Sequence, residues 1–120
     1  SDDRLTVTGQ CAPATSPMTS TQLFFGRAIP GGGEVSEEQW TKFVARVVAK
    51  HFPEGFTIYE AQGAWRGEDS KLVREDSRVI QRVHDIGADQ DGIAAIIEAY
   101  KRAFKQESVM RVDSLACVGF

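Results

Sequence analysis

His84 stands at the end of a Val-, Ile- and Arg-containing run and is followed by Asp85. An imidazole is the one side chain that exchanges protons near neutral pH without help, and a carboxylate beside it orients the ring, so His84 is the candidate base. Successive strand residues point to opposite faces, which directs the expected partner across the sheet, to Glu107 or another cross-strand group, rather than to Asp85. The alternative is a strand-end histidine bonded to backbone. Arg27 precedes the glycine run Gly31-Gly32-Gly33. A guanidinium together with the backbone N–H groups of a Gly-rich turn can hold a carboxylate or phosphate. That loop lacks the Lys-Ser/Thr ending of a P-loop and does not match the dinucleotide fingerprint, so a plain connector is the competing reading. Arg111, near the start of the last apolar run, could add a second cation.

Trp65, beside Arg66 and flanked by glycines, is a candidate for stacking on a ligand or for a partner contact, with packing as the other reading. His51 precedes Phe52-Pro53, where a helix must stop; a cation there complements the helix dipole, and the residue reads as structural. Two histidines without further clustered ligands make no metal site, no cofactor motif is present, and no Ser-His-Asp or Cys-His arrangement is supported by spacing.

The elements that must position these residues follow from hydrophobic period and turn chemistry. Gln22 to Arg27 is β-prone and ends at Pro30 and the three glycines, giving strand one. Ser36 and Gln39 form a capping box, and Trp40, Phe43, Val44, Val47 and Val48 then recur at helical spacing until Pro53 and Gly55. Phe56 to Tyr59 and the segments around Leu72-Val73 and Ser77 to His84 read as a hairpin turning at Gly67 to Ser70. Asp89 or Asp91 is placed to cap a second helix with Ile93, Ile96, Ile97, Tyr100 and Phe104 on one face. Ser108 to Phe120 closes the fold as a strand.

This order is α+β, a ferredoxin-like β-α-β-β-α-β sandwich: a four-stranded antiparallel sheet in the order 4-1-3-2 with two helices on one face. With strands one and three taken to run parallel at the centre, their ends would gather Arg27, Gly32, Gly33, His84, Glu107 and Arg111 into one cleft. With Val79 and Val83 turned to the helices, Arg78, Ile80, Arg82 and His84 would lie on the open face, available to a partner protein or to a homodimer.

Composition bounds the rest. With 120 residues, 42% hydrophobic and 26% charged, the chain supports one core. Residues 1–20, rich in Ser, Thr, Pro and Ala, read as a flexible arm of the kind that follows a removed export signal, and 21–120 as the domain. A net charge of -3 without a basic stripe argues against nucleic acid, and the longest apolar runs are far short of the roughly 20 residues of a membrane span. Cys11 and Cys117 belong to no CxxC pair; they pair with each other in an oxidising compartment or remain two thiols. Gln10 is too large for a lipid-attachment signal at Cys11.

Leu23-Phe24-Phe25-Gly26-Arg27, Gly31-Gly32-Gly33 with Val35-Ser36-Glu37, Phe52 to Thr57, Gly63-Ala64-Trp65-Arg66 and Gln106 to Asp113 with Cys117 occur in a specific order. Over roughly Thr21 to Phe120 the chain resembles the small bacterial exported proteins of domain of unknown function 3574. The resemblance implies no catalytic residues. It does lead one to expect a nearly all-apolar run before the histidine of the third strand, which Gln81 and Arg82 interrupt here. The expected function is a periplasmic or secreted, non-enzymatic module that binds a partner protein or a small anionic ligand. The alternative is a small enzyme with His84 as base and Arg27 or Arg111 holding an anionic substrate.

Overall fold

The computed structural model describes residues 11–120. Strand β1 covers Ser16–Gly26. Helix α1 spans 37–51: a regular opening at Glu37–Phe43, a wider π-helical stretch at Val44–Val48 and a closing turn at Ala49–His51. Strands β2 (Thr57–Arg66) and β3 (Leu72–His84) form a hairpin, α2 covers Gln90–Phe104 and β4 covers Met110–Val118.

β1 starts before the expected Gln22. Residues 16–20, placed in the arm by composition, pair in the sheet, Ser16 with Val118 and Thr19 with His84. The remaining expectation for the arm, over 1–10, lies outside the described residues.

The sheet order is β2-β3-β1-β4, the expected order, and every neighbouring pair is antiparallel. The two central strands are therefore not parallel. The chain returns along α1, so β2 runs with β1, and the tight hairpin that Gly67 N–H closes on the Lys71 carbonyl at 2.9 Å then reverses β3 against both. Thr19 lies opposite His84 and Gly26 opposite Ser77, which puts Arg27 and His84 at opposite ends of the sheet.

Ser36 Oγ accepts from Gln39 N–H at 3.0 Å and the Gln39 side chain accepts from Ser36 N–H at 2.9 Å, so the capping box forms as the sequence predicts. The π-helical widening shifts the buried face by one position. Phe43 and Val48, five residues apart, are both buried, while Val47 packs only at the edge. Asp89 occupies the N-cap of α2 with a left-handed backbone but caps nothing with its side chain, which goes to Arg82.

The core lies between both helices and one face of the sheet. Leu23, Phe25 and Ile80 from the strands meet Trp40, Phe43, Ile93, Ile96 and Tyr100. Phe25 sits at the centre of an aromatic cluster, 4.8 Å from the Tyr100 ring and 5.4 Å from that of Trp40. Fully burying side chains of this size stabilises by about 1.5–3 kcal/mol each, which fixes which face of β1 and β3 meets the helices.

Candidate functional site

Partners in antiparallel register share a face, and this sorts every strand residue. Leu23 opposite Ile80, Phe25 opposite Arg78 and Thr21 opposite Arg82 place Arg78, Ile80, Arg82 and His84 under the helices, the reverse of the sequence expectation. The reason is core size: Ile80 with Leu23 and Phe25 supplies apolar bulk to the helices, and the charged neighbours ride on the same side to be neutralised at the helix ends. Arg78, buried, donates to Glu37 Oε1 at 2.7 Å. Arg82 donates to Asp89 at 2.7 Å and to Glu54 at 3.3 Å.

The expected cleft divides into two separate regions. At one end, Arg27 donates through Nε and Nη2 to the Val35 carbonyl at 2.9 and 2.7 Å, and its third nitrogen lies 3.6 Å from Glu37. Its side chain is 12% exposed. Gly31, Gly32 and Gly33 all take positive φ, and the turn closes on itself, Gly32 N–H to the Ile29 carbonyl and Ile29 N–H to the Gly33 carbonyl. These glycines make a turn that ties β1 to α1. Glu107 lies on this side, beside an open depression, rather than near His84.

At the other end His84 is buried, with Nε2 2.7 Å from Thr21 Oγ1 and Nδ1 2.9 Å from the Asp85 carbonyl. The cross-strand partner is thus Thr21, and the Asp85 backbone rather than its carboxylate completes the ring's bonding. Thr21 donates onward to Asp113 Oδ1 at 2.6 Å, and Arg111 Nε donates to both Asp113 oxygens at 3.2 and 3.1 Å. The Thr21 hydroxyl and the Arg111 guanidinium hold the Asp113 carboxyl below the usual carboxylate range. Arg111, Asp113 and Gln90 line a shallow pocket of about 290 Å³. Of the predicted site residues, His84 and Arg111 are brought together at this end, Trp65 and Glu107 border one depression at the other, and Thr21 and Asp113, which link His84 to Arg111, had no motif to mark them. Only the strand register exposes that link.

The uncovered face is the third region. Tyr59, Val79, Phe24 and Met110 stand opposite one another in one row across all four strands. Trp65, 49% exposed, and Val73 continue it at the end of the β2–β3 hairpin, and Val112 continues it along β4. Among the described residues of this face, strand by strand, Glu75 is the one charged side chain, and it accepts from Ala28 N–H at 3.0 Å. Phe24, Trp65, Val73 and Met110 border an open depression of about 620 Å³ that Glu75 and Glu107 also reach.

The other chemistry the sequence raised is resolved plainly. Trp40 is in the core. His51 ends α1 against Gly92, where an added Cβ would stand 3.3 Å from the His51 carbonyl oxygen, a tight approach of the start of α2 to the end of α1. Cys11 and Cys117 form a disulfide. No helix among the described residues is long and apolar enough to cross a membrane.

A family profile, protein of unknown function DUF3574, matches residues 20–120. The chain belongs to this family. No curated protein matches it. Among solved structures, DUF3574 here is similar in backbone to a phage SAM lyase in complex with S-methyl-5'-thioadenosine. The TM-score is 0.53 at 15% identity, over 96% of this chain and 97% of that one. It is also similar to a phage SAM lyase in the apo state, with a TM-score of 0.55 at 18% identity, over 87% and 90%. At these identities the likeness is one of fold, an antiparallel sheet carrying two helices.

Proposed function

We propose that this DUF3574 domain is a protein-docking module that works through its uncovered sheet face, and that a second copy of the chain is the occupant this face fits. The apolar row Tyr59–Val79–Phe24–Met110 carries the reading. An antiparallel sheet whose far face meets water is ordinarily polar there. Here an apolar row crosses that face beside uncharged Ser and Gln side chains, with Glu75 its one charge among the described residues; this matches an interface core, where charged residues are depleted and Trp, Tyr, Phe and Met enriched. The same face carries the open depression bordered by Phe24, Trp65, Val73 and Met110, and a copy turned about a two-fold axis brings the same apolar row to it. The anionic-ligand reading loses support, because Arg27 is spent on Val35 and Glu37. The disulfide supports a periplasmic or secreted setting.

Sedimentation equilibrium of the wild-type chain and of Phe24→Glu tests this. The expected result is a wild-type dimer and a monomeric variant with an unchanged circular dichroism spectrum. A wild-type chain that stays monomeric at hundreds of micromolar, or a variant that dimerises equally well, overturns it.

A second reading, a small enzyme, draws support from the backbone likeness to a SAM lyase and from the pocket at Arg111 and Asp113. With His84 buried and both its nitrogens bonded, a ligand in that pocket meets Asp113 and Arg111 instead. Incubation with SAM, followed by chromatography for S-methyl-5'-thioadenosine, decides it: product adopts the enzyme reading and its absence removes it.

A further inference from the structure

The bonds around His84 admit one distribution of protons. Thr21 has a single hydroxyl hydrogen, and it goes to Asp113 Oδ1 at 2.6 Å. The oxygen of Thr21 then has only lone pairs to offer His84 Nε2 at 2.7 Å, so Nε2 must bring a hydrogen. The Asp85 carbonyl can only accept, so Nδ1, 2.9 Å away, must bring another. The other distribution would need a proton on Asp113, which Arg111 opposes from 3.1 Å.

The same bonds close a ring through four elements. From the Asp85 carbonyl they pass through His84 on β3, Thr21 on β1, and Asp113 and Arg111 on β4. Arg111 Nη2 donates to Gln90 Oε1 at 2.9 Å in the first turn of α2, and Gln90 Nε2 donates back to the Ala88 carbonyl at 2.9 Å. That turn has no side-chain cap, because Asp89 is occupied by Arg82.

We propose that His84 is a buried imidazolium that locks this ring shut, so that a single proton clasps the start of α2 to edge strand β4. The charged groups facing it are Asp113 and Arg111 from β4 and Arg82 from β3, whose guanidinium Asp89 and Glu54 already engage. β1 contributes the neutral Thr21, and the loop after β3 contributes the Asp85 carbonyl. Thr21 relays the compensating charge of Asp113. Loss of the Nε2 proton turns the Thr21 hydroxyl away from Asp113 and opens the clasp at that joint, whereas loss of the Nδ1 proton sets a lone pair against the Asp85 carbonyl, which keeps its bond from Ala88 N–H at 2.9 Å and closes the ring on the Ala88 side. The device is a proton-operated fastening, separate from the docking face on the opposite side of the sheet.

Nitrogen-15 NMR of the full chain reads it directly. At neutral pH the expected spectrum has two slowly exchanging ring N–H signals from His84 and no such protected pair from His51. As alkali removes one of them, amide exchange should rise roughly tenfold at Gln90 to Ile93 and at Arg111 to Asp113, but not at Tyr59 or Val79. Thr21→Ser should keep both signals and Thr21→Val should lose one. A single ring N–H in the folded wild type at neutral pH, or loss of a ring proton without faster exchange at those amides, overturns the proposal.

Discussion

On the helix side of the sheet each buried arginine meets a carboxylate: Arg78 meets Glu37, and Arg82 meets Asp89 and Glu54. On the far side, Tyr59, Trp65, Met110 and Val112 stand largely exposed, with Glu75 the one charge among the described residues of that face. An ordinary two-layer domain distributes polarity the other way. The covered face can hold its charges because the helix ends bring opposite charges to them, and a buried guanidinium is tolerable only when so paired. The open face has no such internal reason for its composition. The contrast teaches that burial in the single chain does not tell which surface is finished.

The sharpest way to break the contrast is to truncate neighbouring phenylalanines that point opposite ways. Phe25→Ala empties the middle of the aromatic cluster and should cost about 3–5 kcal/mol, whereas Phe24→Ala should cost less than about 1.5 kcal/mol in the monomer while weakening association. Urea unfolding under reducing-agent-free conditions measures the first, and sedimentation the second. Equal losses of stability would mean that the two faces are not distinct.

The next effect is alkaline. Burial pushes the Tyr100 hydroxyl up to about 12, against the opposing influence of Arg27, and the group donates to the Gly26 carbonyl at 2.6 Å. The folded chain holds that proton more tightly than the unfolded one, so the stabilisation is whole below about pH 10 and disappears as pH rises toward 12. The unfolding free energy, read by urea titration at each pH, should fall across this window by up to about 3 kcal/mol, and Tyr100→Phe should flatten the decline.

Glu37→Gln, which leaves Arg78 buried and Arg27 with one carboxylate fewer, should cost about 1–2 kcal/mol by urea unfolding; no change would show that the covered charges need no partner. The smallest effect is acidic. Asp113 titrates below its usual range when folded, so its contribution is present above the unfolded carboxylate value and fades as pH falls through the lower folded value. Asp113→Asn should remove that acid-side slope from the melting profile.

Much of the architecture is legible in the sequence because it is written in periods and caps: the Ser36–Gln39 box, the Ile93-Ile96-Tyr100 stripe and the Gly67 turn each specify local geometry. Strand polarity and facing are not local. The alternation Arg78-Ile80-Arg82-His84 reads as an exposed polar stripe until Ile80 is seen to be required by Leu23 and Phe25. For the same reason Arg27 and His84 were grouped although the hairpin sends them to opposite ends. Thr21 and Asp113, 92 residues apart, are joined only by register, and a threonine in a β-prone run announces nothing beyond strand propensity.

The Cys11–Cys117 bond spans 106 positions of sequence and joins the segment leading into β1 to the strand beside it, β4. Everything between, all four strands but for the last residue of β4 and both helices, lies inside one covalent circle. Tension applied to the chain outside that circle loads the Ser16–Val118 pairing at its rim and is then carried by the sulfur–sulfur bridge rather than by the β1–β4 pairs from Cys117 inward. A cut in any enclosed loop opens the circle without releasing a fragment. A single cut therefore leaves every strand covalently attached to the others, and both faces of the sheet remain parts of one molecule.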